Sequence, residues 1–130
     1  MKMESTVTVN IKDDEVIRQV TDASKMAMRD TTVEVVHDSV QLSPWLTGNN
    51  RRSIVGEVSG MGGVASGGEG RTERMVDDSK IEGAVYSTSG YGGFLEVGTS
   101  RMAARSYIKP ALDRNFTNEK FASKVKNHLK

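Results

Sequence analysis

From Val16 to Leu42 the chain runs without a glycine or a proline, and this stretch limits the fold more than any other. Its apolar residues recur at helical spacing, which predicts a single long helix. Val16, Val20, Ala23 and Ala27 follow one stripe. Val33, Val36 and Val40 follow a second, rotated from the first by roughly a third of a turn at 3.6 residues per turn. The shift falls at Met28 to Thr32, where Asp30, Thr31 and Thr32 weaken helix propensity. Two readings follow: the helix bends there, or its halves meet different neighbours. Asp13 and Asp14 stand where an N-cap belongs, able to accept orphan amide hydrogens and to favour the helix dipole. Ser43-Pro44 ends the helix, because the residue before a proline is pushed out of the α region.

Around this helix the sequence predicts strands. Glu4 to Lys12 alternates, with Val7, Val9 and Ile11 on one face. Trp45, the sole tryptophan, either anchors the helix end to a sheet or serves an interface. Thr47-Gly48-Asn49-Asn50 reads as a turn. Arg51 to Ser59 reads as a strand with Ile54 and Val58 inward. The glycine-rich run from Gly60 to Gly70 reads as a long hairpin tip or a mobile loop. Arg71 to Ser79 begins the return strand, and Lys80 to Ser87 carries Ile81, Ala84 and Val85, so that the two strands form a hairpin across the glycines. Gly90, Gly92 and Gly93 then make a turn, and Tyr91, Phe94, Leu95 and Val97 form an apolar knot around Glu96. Gly98-Thr99-Ser100 closes the knot, and Arg101 to Arg105 is a basic loop. Tyr107, Ile108 and Pro110 open a final helix over Ala111 to Lys130, with Phe121, Val125 and Leu129 on one stripe. The predicted fold is α+β: one domain over residues 1–130, with a small, mostly antiparallel sheet on which a long N-terminal helix and a C-terminal helix pack.

Composition excludes several chemistries. There is no cysteine, hence no disulfide and no thiolate, and the two histidines, His37 and His128, are too few for a Cys/His zinc site. A Ser-His-Asp arrangement could be drawn only by picking residues at will, and a paired-carboxylate site stays open, since Asp and Glu are plentiful, with no local spacing to mark one. His37 beside Asp38 reads as a solvated helix face rather than a metal pair. The glycine-rich run lacks the Gly-Lys-Ser/Thr ending of a phosphate-binding loop and opens no apolar helix. With 18 basic and 17 acidic residues the formal charge is +1, so no global field draws the chain to DNA or to anionic lipid. No apolar run approaches the roughly 20 residues of a membrane span, and the N-terminus lacks the apolar core of a secretory signal. Apolar content of 36% with 5% aromatic predicts a thin core, to which neighbouring subunits would add stability.

Two blocks carry a resemblance. The first is Tyr91, then Leu95-Glu96-Val97-Gly98-Thr99, then Tyr107-Ile108-Lys109-Pro110-Ala111-Leu112. The second is Ser43-Pro44-Trp45-Leu46-Thr47-Gly48 with Arg52-Ser53-Ile54. Together they resemble the small tail-completion, or neck, proteins that join the DNA-filled head of a tailed bacteriophage to its tail. That family shows a tyrosine, then Glu-Phe-Gly-Thr, then an aromatic and Pro-Ala-Leu; here Val97 stands in place of the usual phenylalanine.

The resemblance implies a structural virion protein without catalytic, cofactor or metal residues. It implies a homo-oligomeric ring, six-fold, stacked on head-side connector or stopper proteins and on tail-tube proteins. DNA would pass its lumen without sequence-specific binding, and near-zero net charge suits such a channel. The expected location is the head–tail junction of the virion, and the host cytoplasm during assembly, away from membranes. The expected interface or motif residues are Trp45, Thr47, Gly48, Tyr91, Phe94, Glu96, Gly98, Thr99, Tyr107 and Pro110. Glu96, between Leu95 and Val97, needs a partner if buried; Arg52, Arg101 and Arg105 are candidates, within the subunit or across a boundary. The basic C-terminus, with Lys124, Lys126 and Lys130, either complements the helix dipole or faces DNA. A small cytoplasmic nucleic-acid-binding or regulatory domain is the alternative function, using that terminus and Arg51-Arg52.

Overall fold

The long helix forms where the sequence places it. In a computed structural model that describes residues 2–4, 14–43, 49–68, 70–89 and 107–129, helix α1 spans Asp14–Leu42 without interruption. Its buried positions are Ala23, Ser24, Ala27, Met28, Thr31, Thr32, Val35, Val36 and Ser39. They form one continuous band that takes in Ala23 and Ala27 of the first apolar stripe and Val36 of the second, with small hydroxyl residues between, while Val16, Val20, Val33 and Val40 are half-buried. At Met28 to Thr32, where a bend was one expectation, the helix runs on, with Met28, Thr31 and Thr32 all at 0% exposure. Two of the buried hydroxyls are satisfied within the helix: Thr31 Oγ1 donates to the Ala27 carbonyl at 2.9 Å and Ser24 Oγ to the Val20 carbonyl at 2.8 Å, whereas Thr32 Oγ1 and Ser39 Oγ find no partner among the described residues.

Strands β1 (Lys2–Glu4), β2 (Ile54–Val58), β3 (Gly62–Ser66) and β4 (Glu82–Ser87) form one antiparallel sheet in the order β1-β4-β2-β3. Alternation sorts its two faces. Met3, Ile54, Val58 and Val85 belong to the core, together with Ala27, Met28, Val35 and Val36 of α1. Gly56 and Gly83 share that inner face and set how close the helix comes. A Cβ on Gly56 would lie 2.5 Å from Val36 Cγ2 and 2.8 Å from Thr32 Cγ2; one on Gly83 would lie 2.5 Å from Thr32 Oγ1.

The expected antiparallel pairing of the two strands across the glycines is present as β2 with β4, while its bounds and its tip are corrected. Arg51–Ser53 is not strand but the end of a short helix, α2 (Asn49–Ser53). The Arg52 and Ser53 carbonyls are taken by the amides of Gly70 and Thr88, which link this segment to two loops. The glycine-rich run is not simply a hairpin tip: it contains β3, which pairs with β2 through a register shift at Gly56/Glu57. The tight turn before it uses Gly60 and Gly62 at φ of 74° and 68°, values that favour glycine. Arg71 to Ser79 is not a return strand; the second partner of β2 is β4. The alternating run at the N-terminus contributes Lys2–Glu4 to the sheet, and its residues 5–13 lie outside the described ones.

The final helix is two. Helix α3 (Ile108–Asn115) and helix α4 (Asn118–His128) both pack on α1, on which the sheet also packs. They part at Phe116 and Thr117. Thr117 is extended, with ψ of 156°, and its side chain accepts from the Lys120 amide, so it caps α4. Phe116 and Phe121 meet edge to face across the break, with centroids 5.9 Å apart.

Candidate functional site: the outer face of the sheet

Two carboxylates are buried on the face of the sheet turned away from α1. Glu57 is 1% exposed and Glu82 is 0% exposed. In a sequence of alternating strand residues such glutamates read as solvent-facing, and they were missed for that reason. What covers them is the segment from Gly70 to Ile81, which crosses the outer face as a strap. Its amides alternate toward the sheet. The Glu73 amide donates to Tyr86 Oη at 2.6 Å, the Met75 amide to Glu57 Oε1, and the Asp77 amide to Glu82 Oε2 at 2.9 Å. Residues i, i+2 and i+4 of the strap thus rest on three side-chain acceptors. From Arg71 to Val76 the strap makes no main-chain to main-chain hydrogen bond among the described residues.

The strap ends in a cluster of turns. Ser79 donates to Asp77 Oδ1 through its amide at 2.9 Å and its hydroxyl at 2.7 Å, and the Gly60 amide donates to Asp78 Oδ1 at 2.8 Å. Arg74 has φ of 55°, a left-handed conformation that a side chain makes unfavourable. Beside Glu57 a pocket of about 340 Å³ is lined by Gly60, Gly62, Thr72, Arg74, Val76 and Asp78.

Electrostatics follow from these contacts. Lys2 Nζ lies 3.0 Å from Glu82 Oε1 as an ion pair. The Asp77 amide, and after it Lys2 and Lys80, hold the Glu82 carboxyl below its ordinary range against the opposing effect of burial. The Ser79 hydroxyl and amide lower Asp77 in the same way. Burial raises the Tyr86 phenol, with the Glu57 and Glu73 carboxylates adding to the rise. Each buried carboxylate gives an oxygen to a strap amide, which is a fastening role. Among the described residues no three His, Asp or Glu side chains gather in a metal-binding arrangement, and no helix is long and apolar enough to cross a membrane.

Of the residues singled out from sequence, Trp45, Thr47, Gly48, Tyr91, Phe94, Glu96, Gly98, Thr99 and Lys130 lie outside the described residues, as do Arg101 and Arg105. Tyr107 is 1% exposed and Ile108 5%, and both join the core. Pro110 is exposed at the third position of α3, where its missing amide hydrogen costs the helix nothing. The C-terminal cations are largely engaged within the molecule. Lys124 Nζ lies 3.0 Å from Glu34 Oε2, His128 Nε2 lies 2.7 Å from Asp30 Oδ2, and Lys120 Nζ donates to the Arg114 carbonyl at 2.6 Å. Lys126 is exposed. His37 is exposed, and its neighbour Asp38 accepts from Asn115 at 2.7 Å and pairs with Arg114. At the junction of α1 and α4, Met26 and Leu129 remain 36% and 46% exposed around a shared hollow.

The chain matches no protein-family profile, no curated protein and no solved structure.

Proposed function

We propose that the protein is a structural component of a tailed-phage neck, a ring-forming tail-completion protein that joins the head to the tail and catalyses no reaction. The observation that carries this reading is the first turn of α3. The Tyr107-Ile108-Lys109-Pro110-Ala111-Leu112 run, the last part of the first block of the resemblance, opens a helix there, with Tyr107, Ile108 and Ala111 buried and Lys109 and Pro110 outward. Such a block docks the C-terminal helices on α1. The exposed Met26 and Leu129 suit a helix face that meets another subunit. The ring would be six-fold and would stack between connector or stopper proteins and tail-tube proteins at the head–tail junction, after assembly in the host cytoplasm.

Native mass by light scattering over a range of concentration and salt tests the proposal. A discrete ring of about six or twelve subunits, without salt-steep DNA binding, is the expected outcome. A monomer at every concentration that binds DNA with an affinity falling steeply in salt would overturn it in favour of a small nucleic-acid-binding domain.

A further inference from the structure

We propose that residues 71–78 are a strap latched onto the sheet by Tyr86, Glu57 and Glu82, and that acid opens it while the sheet stays folded. This goes beyond the neck reading and does not depend on it. The geometry carries the inference at three points. First, the strap has no ladder: its contacts with the sheet include amides 73, 75 and 77 on three side-chain acceptors. An element held this way separates from the sheet without breaking any strand pairing, which is the condition for opening as a unit below the global stability. Second, the side chains of Arg71 to Met75 and of Asp77 to Lys80 are exposed, so little apolar area resists lifting. Arg74, in its left-handed conformation, opposes closure.

Third, two of the three acceptors are carboxylates. An ionised carboxylate is a stronger acceptor than a neutral one, so each amide bond to Glu57 or Glu82 weakens on protonation. The charged surroundings are mixed. Lys2 and Glu4 face Glu82 from β1, with Glu4 in register opposite it. The strap brings Glu73, Arg74, Asp77, Asp78 and Lys80, β4 brings Tyr86, and β3 sets only Gly63 opposite Glu57. Protonating both glutamates takes the carboxylate from Lys2 and weakens two of the side-chain fastenings together. Tyr86 on amide 73 and Asp78 on the Gly60 amide remain. The strap lifts, and the carboxyl groups beneath it meet water.

Amide hydrogen exchange resolved by residue decides this on the full chain, with protection factors corrected for the intrinsic pH dependence. Near neutral pH amides 73, 75 and 77 should be protected and amides 74 and 76 should not. As the pH is lowered into the acid range, protection at 75 and 77 should fall about tenfold or more, the scale of a bond to a charged acceptor, while amides of β2 and β4 keep theirs. The double variant Glu57→Gln, Glu82→Gln should show the open pattern at neutral pH and lose the acid dependence, since Gln does not titrate. If that variant fails to fold, Tyr86→Phe replaces it: amide 73 should lose protection while 75 and 77 retain their acid response. Uniform exchange over 73–77, or strap protection that follows β2 and β4 at every pH, would overturn the proposal.

Discussion

Single residues decide how closely the helix and sheet of this protein meet. Gly56 and Gly83 sit under Thr32 and Val36 with no room for a methyl group. Gly56→Ala should therefore cost about 1–3 kcal/mol through overpacking, read as a lower urea midpoint at unchanged slope. Thr32 differs from Thr31. Its Oγ1 is buried and has no partner among the described residues, whereas Thr31 Oγ1 bonds the Ala27 carbonyl. Replacing an unpaired buried hydroxyl with a methyl of similar shape removes a desolvation cost, so Thr32→Val should be neutral or stabilising by about 1 kcal/mol. Thr31→Val should destabilise, and denaturation of the pair of variants checks the contrast. Glu82 governs the acid limb. Its carboxyl is lowered in the folded state from an ordinary value of 4.5, so its contribution is present above that value and lost as the pH falls through the lower folded one. Stability measured from pH 7 downward should decline below about pH 4.5, and Glu82→Gln should flatten that decline.

At the scale of elements, legibility tracked what each element depends on. Helix α1 was visible because helical periodicity is local, and its observed span of Asp14–Leu42 matches the expectation at its C-terminal end. Its continuous buried band was not visible, because Ser24, Thr31, Thr32 and Ser39 were counted as polar when their hydroxyls turn inward. Strand β4 was visible from Ile81, Ala84 and Val85. Strand β3 was not: Gly62-Gly63-Val64-Ala65-Ser66 has little strand propensity, and pairing with β2 makes it a strand. The strap escaped notice for a related reason, since two of its fastenings, Tyr86 and Glu57, are acceptors 13 and 18 residues away. The break between α3 and α4 carried a readable signal in Thr117, a favourable N-cap residue, yet the apolar spacing on either side suggested continuity. Thr117→Ala should cost about 1 kcal/mol and lower the helical signal of the C-terminal segment, measurable by circular dichroism during thermal unfolding.

Across the whole molecule, α1 is the element every layer shares: the inner face of the sheet lies against it, and so do α3 and α4. Undocking α4 would expose Phe121 and part Lys124 from Glu34 and His128 from Asp30. Phe121→Ala should thus cost about 3 kcal/mol or more in chemical denaturation and loosen the C-terminal helices first. In the neck reading the same variant should also impair ring formation, because the hollow between Met26 and Leu129 depends on α4 being docked. The two glycines beneath α1 bear on ancestry as well as packing. Because a methyl at position 56 collides with Val36 and Thr32, and one at position 83 with Thr32, these sites are free to change only in concert. A distant cousin of this chain should be recognisable by compensated swaps, a larger residue on the strand answered by a smaller one on the helix, even where every surface motif has drifted away.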